Sequence, residues 1–454
     1  MTWGLIFVAL AASPDGGLEP ADVGPPQVAV EQAPPVAPGP AGHLKGAAEV
    51  ELALFPSGVG DDSLDLLLSL RPVLGFSVGT AFSIELGPTL RLRVVDLPPL
   101  NRSSDYGGVL RRADWDELSD YGQILQSLTI LTESSPFFLK AGVVRKKTLG
   151  LGHLVNRYSN QENPDYHPAG ATAVVAVGPV RLEAFASDVL GGRLFAGELA
   201  WDLGRTFSSS TTLWDRFGLG LEAAHDLGIA GRPFRVDPLL DRVSPSPVTM
   251  LELDGWAVLL RTSAIRAMLM AGVGSRVNAA ADLGLVAGGA VDATVAEFGL
   301  SVKAEFRKQA GGFRHGLFGP TYELSRFADT GFSGPSIAAA SLPDGFSVYG
   351  EARVGVGSAV SVDAAVEHFF FGRTDLDASA SLTLLDSWLL VEARFTAVGL
   401  GPLPRYAMTG SVRARLFRSF YLSASGGTVF FPQLDGTLLR GVTASAGVGV
   451  DFER

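Results

Sequence analysis

The chain has 454 residues, 47% of them hydrophobic and 18% charged, with 55 glycines, five methionines, no cysteine and a formal net charge of -11. The missing cysteine excludes disulfides, thiolate metal sites, cysteine nucleophiles and a lipid-anchoring cysteine. The acidic balance, with no basic run longer than Arg145-Lys146-Lys147, argues against nucleic acid as a partner.

The chain opens on Met1-Thr2-Trp3-Gly4-Leu5-Ile6-Phe7-Val8-Ala9-Leu10-Ala11, a short apolar core whose Ala9-Leu10-Ala11 fits the small-x-small cleavage rule. Residues 1–11 are read as a signal peptide, although no Lys or Arg precedes the core and a start upstream of Met1 is compatible with that. Residues 12–43 carry Gly24-Pro25-Pro26 and Ala33-Pro34-Pro35-Val36-Ala37-Pro38. Proline lacks an N–H and favours extended, unpaired backbone, so this stretch predicts a disordered linker.

From residue 44 to 454 the pattern is strand after strand. Segments are predicted at 46–55, 64–74, 75–86 and 88–96, then a polar insertion at 97–119. Strands resume at 120–132 and 136–147, and a loop covers 148–167. Next come 168–178, 180–188, 192–203 and 214–226, with an insertion at 227–246 that holds Pro233, Pro238 and Pro245. Strands at 248–262, 264–276, 279–291 and 295–308 precede a loop at 309–342. The remainder is compact, with strands at 345–356, 358–370, 374–385, 387–398, 405–417, 419–430 and 439–452.

Leu300-Ser301-Val302-Lys303-Ala304-Glu305-Phe306-Arg307 shows the repeating unit, with apolar residues on one face and polar or charged ones on the other. Thr89–Val94 and Ser411–Leu416 repeat it. Such a period of two needs an apolar environment on one side and water on the other. The core of a large soluble sandwich or barrel supplies that, and so do lipid and a wet lumen around a closed barrel. A helical span needs about 20 largely uncharged residues. The apolar stretch Trp256–Val273 is interrupted by Arg261 and Arg266. The charged fraction lies below the quarter or so usual in soluble domains, and the last strand places Val448, Val450 and Phe452 on one face.

Alternating strands, leader, alternately short and long connections and this terminal strand together resemble a Gram-negative outer-membrane β-barrel of porin-like architecture, with no motif specific to one family. Its aromatic sits two residues before the chain end, where such barrels usually finish on one. The resemblance implies an all-β, transmembrane antiparallel β-barrel of about 18 strands, within 16–22. It also implies location in the cell outer membrane, contact with outer-membrane lipid and assembly by the barrel-assembly machinery.

The six histidines, His43, His153, His167, His225, His315 and His368, include no pair at i,i+2 or i,i+4. No metal, cofactor or catalytic residue is assigned. His225-Asp226 is the nearest candidate for a hydrolase pair and has no flanking serine. Gly311-Gly312 lacks the context of a phosphate cradle. The polar strand faces propose a lumen lining of Arg91, Arg93, Lys303, Glu305, Arg307, Glu351, Arg353, Glu392, Arg394, Arg413 and Arg415, with Asp363 and Glu367 beside them. Glycines in Leu149-Gly150-Leu151-Gly152 permit tight inward folding and make Asn156, Arg157 and Asn160 candidates for a constriction, a plain surface loop being the alternative. Asp114-Trp115-Asp116-Glu117 and Asp120-Tyr121 interleave acids with aromatics and suit a cation, a sugar or an exposed loop. The expected function is a non-enzymatic channel for small hydrophilic solutes. The alternative is a structural barrel subunit of an envelope export or motility machine, docking a periplasmic protein through residues 14–42. A barrel hydrolase ranks third.

Overall fold

The computed structural model describes residues 42–453 apart from 57–63, 97–108, 163–165, 208–215, 228–246, 278, 280, 327–342, 386, 402–404 and 433–437. The expected signal peptide and most of the expected linker lie outside the described residues. The strands in chain order are β1 (His43–Pro56), β2 (Leu64–Val78), β3 (Phe82–Leu86), β4 (Leu90–Asp96), β5 (Leu125–Ile130), β6 (Phe137–Gly142) and β7 (Gly170–Val177). They continue with β8 (Val180–Ala186), β9 (Leu194–Asp202), β10 (Phe217–Asp226), β11 (Val248–Arg261), β12 (Ile265–Arg276), β13 (Leu283–Val295) and β14 (Phe298–Gln309). The last are β15 (Gly345–Val356), β16 (Val360–Phe369), β17 (Thr374–Leu384), β18 (Leu389–Leu400), β19 (Arg405–Arg415), β20 (Phe420–Pro432) and β21 (Leu438–Glu453).

Neighbouring strands pair antiparallel around a ring, and β21 closes it on β1 over Lys45↔Glu453 to Leu54↔Ala444. Among the described residues, twenty strands form the closed barrel and one lies outside it, two more in the ring than the expected 18 and within the expected 16–22. The outlier is β4. Both β3 and β4 pair with β2, through Leu74–Val78 and Asp65–Leu70 respectively, but the ring continues from β3 to β5. Between them stands Gly87-Pro88-Thr89, and Pro88 has no N–H to give a ladder. The free edge of β4 is met instead by the returning insertion, through Arg93 N–H to Val109 O and Arg111 N–H to Arg91 O.

The predicted break at 74/75 is also corrected. Gly75 sits within β2, paired with Lys45 on one side and Glu85 on the other, and the chain turns at Gly79, with φ +51°. Elsewhere nearly every predicted segment is a strand of the ring.

Short turns, such as 178–179, 262–264, 296–297 and 357–359, gather at the end that holds both β1's start and β21's finish. The longer connections 97–124, 143–169, 227–247 and 310–344 gather at the other. Outward faces carry Leu52, Leu74, Leu269, Leu285, Met408 and Val448, each more than half exposed. Water does not tolerate an apolar face of this extent around a whole ring, whereas lipid does. Exposed aromatics flank it at both ends: Trp201, Phe298, Trp388 and Phe420 near the turns, and Phe195, Phe306, Phe346 and Phe370 near the loops. Phe298 and Phe306 stand on one strand, about 27 Å apart along it at about 3.4 Å per residue, or about 21 Å in height at a tilt of about 40°. The chain is therefore an outer-membrane barrel: a closed ring leaves no unpaired edge in lipid, and its two aromatic girdles bound an apolar band of bilayer size.

Candidate functional site: the barrel lumen

Two loop segments fold into the ring and fill part of it. The first, 143–162, is closed on itself by Lys147 and Tyr158, which exchange backbone hydrogen bonds of 2.8 Å. Gly150 (φ +54°) and Gly152 (φ +78°) make its hairpin tip, and a side chain on Gly150 would collide with Glu222 Oε1, 2.2 Å from its Cβ position. The second, 310–326, is part of the predicted loop at 309–342. It runs parallel to the first, with Gly316 N–H to His153 O at 2.6 Å, Phe318 N–H to Leu154 O at 3.2 Å and Asn156 N–H to Phe318 O at 3.1 Å. Leu149, Leu154, Val155, Tyr158, Phe313, Phe318 and Tyr322 bury one another against Phe185, Leu194 and Met250 of the wall. This apolar mass inside the ring holds both segments in place.

Arg157, with φ +56°, reaches across the lumen. Its guanidinium donates to Asp377 at 2.6 and 3.1 Å and to Asp363 at 2.5 Å, and stands 3.5 Å from Glu351. Lys146 joins Asp363 at 2.5 Å, and Arg394 joins Asp377 at 3.3 Å and Glu162. Asn156 donates to the Tyr349 hydroxyl at 2.8 Å. Asn160 braces the base of the loop, accepting from Val144 N–H and donating to Ser187 O. Arg307 pairs with Glu305 and Glu367 and lies 4.1 Å over the Tyr349 ring. Lys303 donates to Leu151 O at 3.0 Å and stands 3.2 Å from Glu305. Arg353 has Nη1 buried without a hydrogen-bond partner.

The wall beneath the first segment carries something sequence reading passed over. Register places Glu183, Glu198, Glu222 and Glu252 side by side on β8, β9, β10 and β11. Like charges directly opposite destabilise a sheet unless cations reach them. Lys147 and Arg181 reach Glu183, and Arg181 stands 3.6 Å from Glu198. At the far end, His153 lies 2.5 Å from Asp254, 3.4 Å from Glu252 and 3.2 Å from Glu305. Burial opposes charge on this imidazole, but Asp254, Glu252 and Glu305 outweigh it and hold its pKa well above the usual histidine value. A single Glu in each of four successive apolar strands was a visible signal, but their alignment depends on register.

The opposite wall is open. Arg413 and Arg415 pair with Asp451 at 2.5 and 2.8 Å, yet their side chains are 38% and 31% exposed. Arg71 stands 3.6 Å from Glu49 with 41% exposure, and Glu392 is exposed, accepting from Ser411 at 3.3 Å. Arg91 and Arg93 lie on β4, turned to Asp114 (2.7 Å) and Asp65 (3.1 Å). Nine of the eleven charged positions named from the alternation thus divide between covered clusters and an open wall, and Arg91 and Arg93 stand on β4, outside the ring.

The acid–aromatic insertion is internally committed. Asp114 is buried between Arg91 and Arg111, at 2.7 and 2.5 Å. Asp120 accepts from Glu117 N–H at 2.9 Å and His167 N–H at 3.3 Å, capping a 3-10 helix over Leu118–Ile124. Trp115 packs edge-on against Tyr121. His225 and Asp226 point to opposite faces of β10, as adjacent strand residues must. His225 bonds Thr249 at 2.7 Å, and Asp226 pairs with Arg326 at 3.0 Å.

No protein-family model matches the chain, and no curated protein matches it in sequence. Among solved structures it is similar to the outer membrane protein opdK from Pseudomonas aeruginosa, at 9% identity over 91% of this chain and 99% of that one, with a TM-score of 0.33. It is similar to a BenF-like porin from Pseudomonas fluorescens Pf-5 at 8% identity, over 91% and 97%, with a TM-score of 0.35. A third is OccAB3 from Acinetobacter baumannii, at 7% identity over 91% and 99%, with a TM-score of 0.34.

Proposed function

We propose that this barrel is a channel for small hydrophilic solutes, with the passage running along the wall of β18–β21 and β1–β2 beside the inward segments. The carrying observation is the contrast in exposure between the two walls. Arg157, Arg307 and Glu305 are nearly sealed, while Arg413, Arg415, Arg71 and Glu392 keep contact with solvent. Alternating Arg and acid along the open wall would orient polar solutes without holding them, as conduction requires. No catalytic role is assigned to any residue. The apolar mass of the inward segments favours a second reading, in which the barrel is a structural subunit of an envelope machine and the tether at 14–42 docks a periplasmic protein. Single-channel recording of the purified protein in a planar bilayer decides between them. Stable stepwise conductance supports the channel. Silence from protein shown to be folded and inserted sinks it and moves the assignment to the structural subunit.

A further inference from the structure

Most buried acids of the covered wall have a basic partner. Glu183 and Glu198 have Arg181, and Glu305 has Lys303 and Arg307. Among the described residues, the basic groups within ion-pair distance of Glu252 and Asp254 are imidazoles alone, those of His153 and His315, the latter 3.3 Å from Glu252. Both carboxylate oxygens of Glu252, Oδ2 of Asp254 and Nε2 of His153 are buried without a hydrogen-bond partner. Desolvating such atoms costs free energy unless something else binds them.

The three side chains also converge. One donor atom from each of His153, Glu252 and Asp254 lies within 4.8 Å of the other two. Facing them on β12 is Gly272, and its missing side chain marks the focus: a Cβ there would stand 2.4 Å from Asp254 Oδ1, 2.7 Å from Glu252 Oε1 and 3.1 Å from His153 Nδ1. Metal–ligand bonds to nitrogen and carboxylate oxygen run at about 2.0–2.2 Å, so slight movement of these donors brings three ligands onto one ion.

We propose that His153, Glu252 and Asp254 bind one divalent transition-metal ion beside Gly272, with His315, 3.3 Å from Glu252, a further imidazole beside the site. One or two imidazoles with two carboxylates suit Zn²⁺, Mn²⁺ or Co²⁺ better than Mg²⁺ or Ca²⁺, which prefer oxygen alone. Binding displaces the proton from His153 and puts a dication where a single imidazolium charge faced Glu252 and Asp254. It also joins the tip of the inward hairpin to β11, so metal clips the first segment to the wall. This holds whether or not the lumen conducts.

The test uses the whole barrel, purified in detergent, stripped with chelator and titrated with Co²⁺ near neutral pH. Visible absorption reports coordination, elemental analysis reports stoichiometry, and heat-dependent gel migration reports folding. One Co²⁺ per folded barrel, displaced by Zn²⁺, is expected. Glu252→Gln removes a ligand charge, and Gly272→Ala crowds the focus with a methyl that pushes Asp254 and Glu252 aside while keeping all three ligand residues. Each is expected to weaken binding about 10- to 100-fold or more, while Glu392→Gln on the open wall leaves it unchanged. No stoichiometric Co²⁺ on folded wild-type protein overturns the site, and so does equal binding by Glu252→Gln or Gly272→Ala. If one variant does not fold, the other and the wild-type stoichiometry decide.

Discussion

Asp114 shows how a loop acid becomes structural. Burial alone would raise its carboxyl, but Arg91, Arg111 and His167 together hold it well below the usual carboxylate range. Its contribution is therefore present above its unfolded value of 3.8 and is lost as the pH falls below that. Asp114→Asn removes the charge between two guanidiniums and is expected to cost about 3 kcal/mol, measured by urea unfolding in lipid vesicles. Asp120, six residues on, titrates the other way, because burial pushes it up to about 8. It stabilises most when protonated, below 3.8, and that contribution is lost as the pH rises through about 8. Hydrogen-exchange protection of residues 118–124, corrected for intrinsic rates, is expected to fall across that range in the wild type and to stay level in Asp120→Asn. The interleaving of acids and aromatics in this insertion was legible. That the acids would be consumed by β4 and by the insertion's own backbone was not, because their partners lie at sequence separations such as the 23 residues between Arg91 and Asp114.

At the scale of elements, the inward hairpin and the outward strand faces make separate predictions. Arg157 anchors the hairpin to β16 and β17, and breaking a buried pair of this kind costs about 3 kcal/mol. Arg157→Ala is expected to lower exchange protection over residues 146–158 about 100-fold. In the channel reading it also raises single-channel conductance; unchanged protection would show that the apolar cluster alone holds the hairpin. The glycines at Gly150 and Gly152 pointed to a tight fold at this place, and Arg157 stood out as its charged residue. Its partners Asp363 and Asp377 lie more than 200 residues away and were beyond any local pattern. On β14, Val302 faces outward midway between the aromatics Phe298 and Phe306. Val302→Arg is expected to destabilise the barrel by about 2–4 kcal/mol in vesicle unfolding. An equal cost for the same change at inward-facing Ser445 would contradict the lipid-facing assignment.

For the whole molecule, the open wall is the place where charge can act on a solute. Asp451 is shared by Arg413 and Arg415, so Arg413→Ser with Arg415→Ser leaves an exposed carboxylate where a net positive group stood. The reversal potential in a salt gradient is expected to move toward cation preference, more strongly at low ionic strength, where the screening length exceeds about 10 Å. An unmoved potential would place the passage elsewhere. The sequence by itself determined the succession of strands, the two faces of nearly every one and the end at which the long connections gather, because alternation of side chains along a strand is local and has a period of two; closure of the ring with its apolar face outward decided for lipid over a soluble core. Tertiary structure alone decided the count of 20 in the ring, the displacement of β4, the folding of 310–326 into the lumen and the alignment of Glu183, Glu198, Glu222 and Glu252. Each of these depends on register or on contacts between distant segments, which set the neighbours of a residue without altering its pattern along the chain.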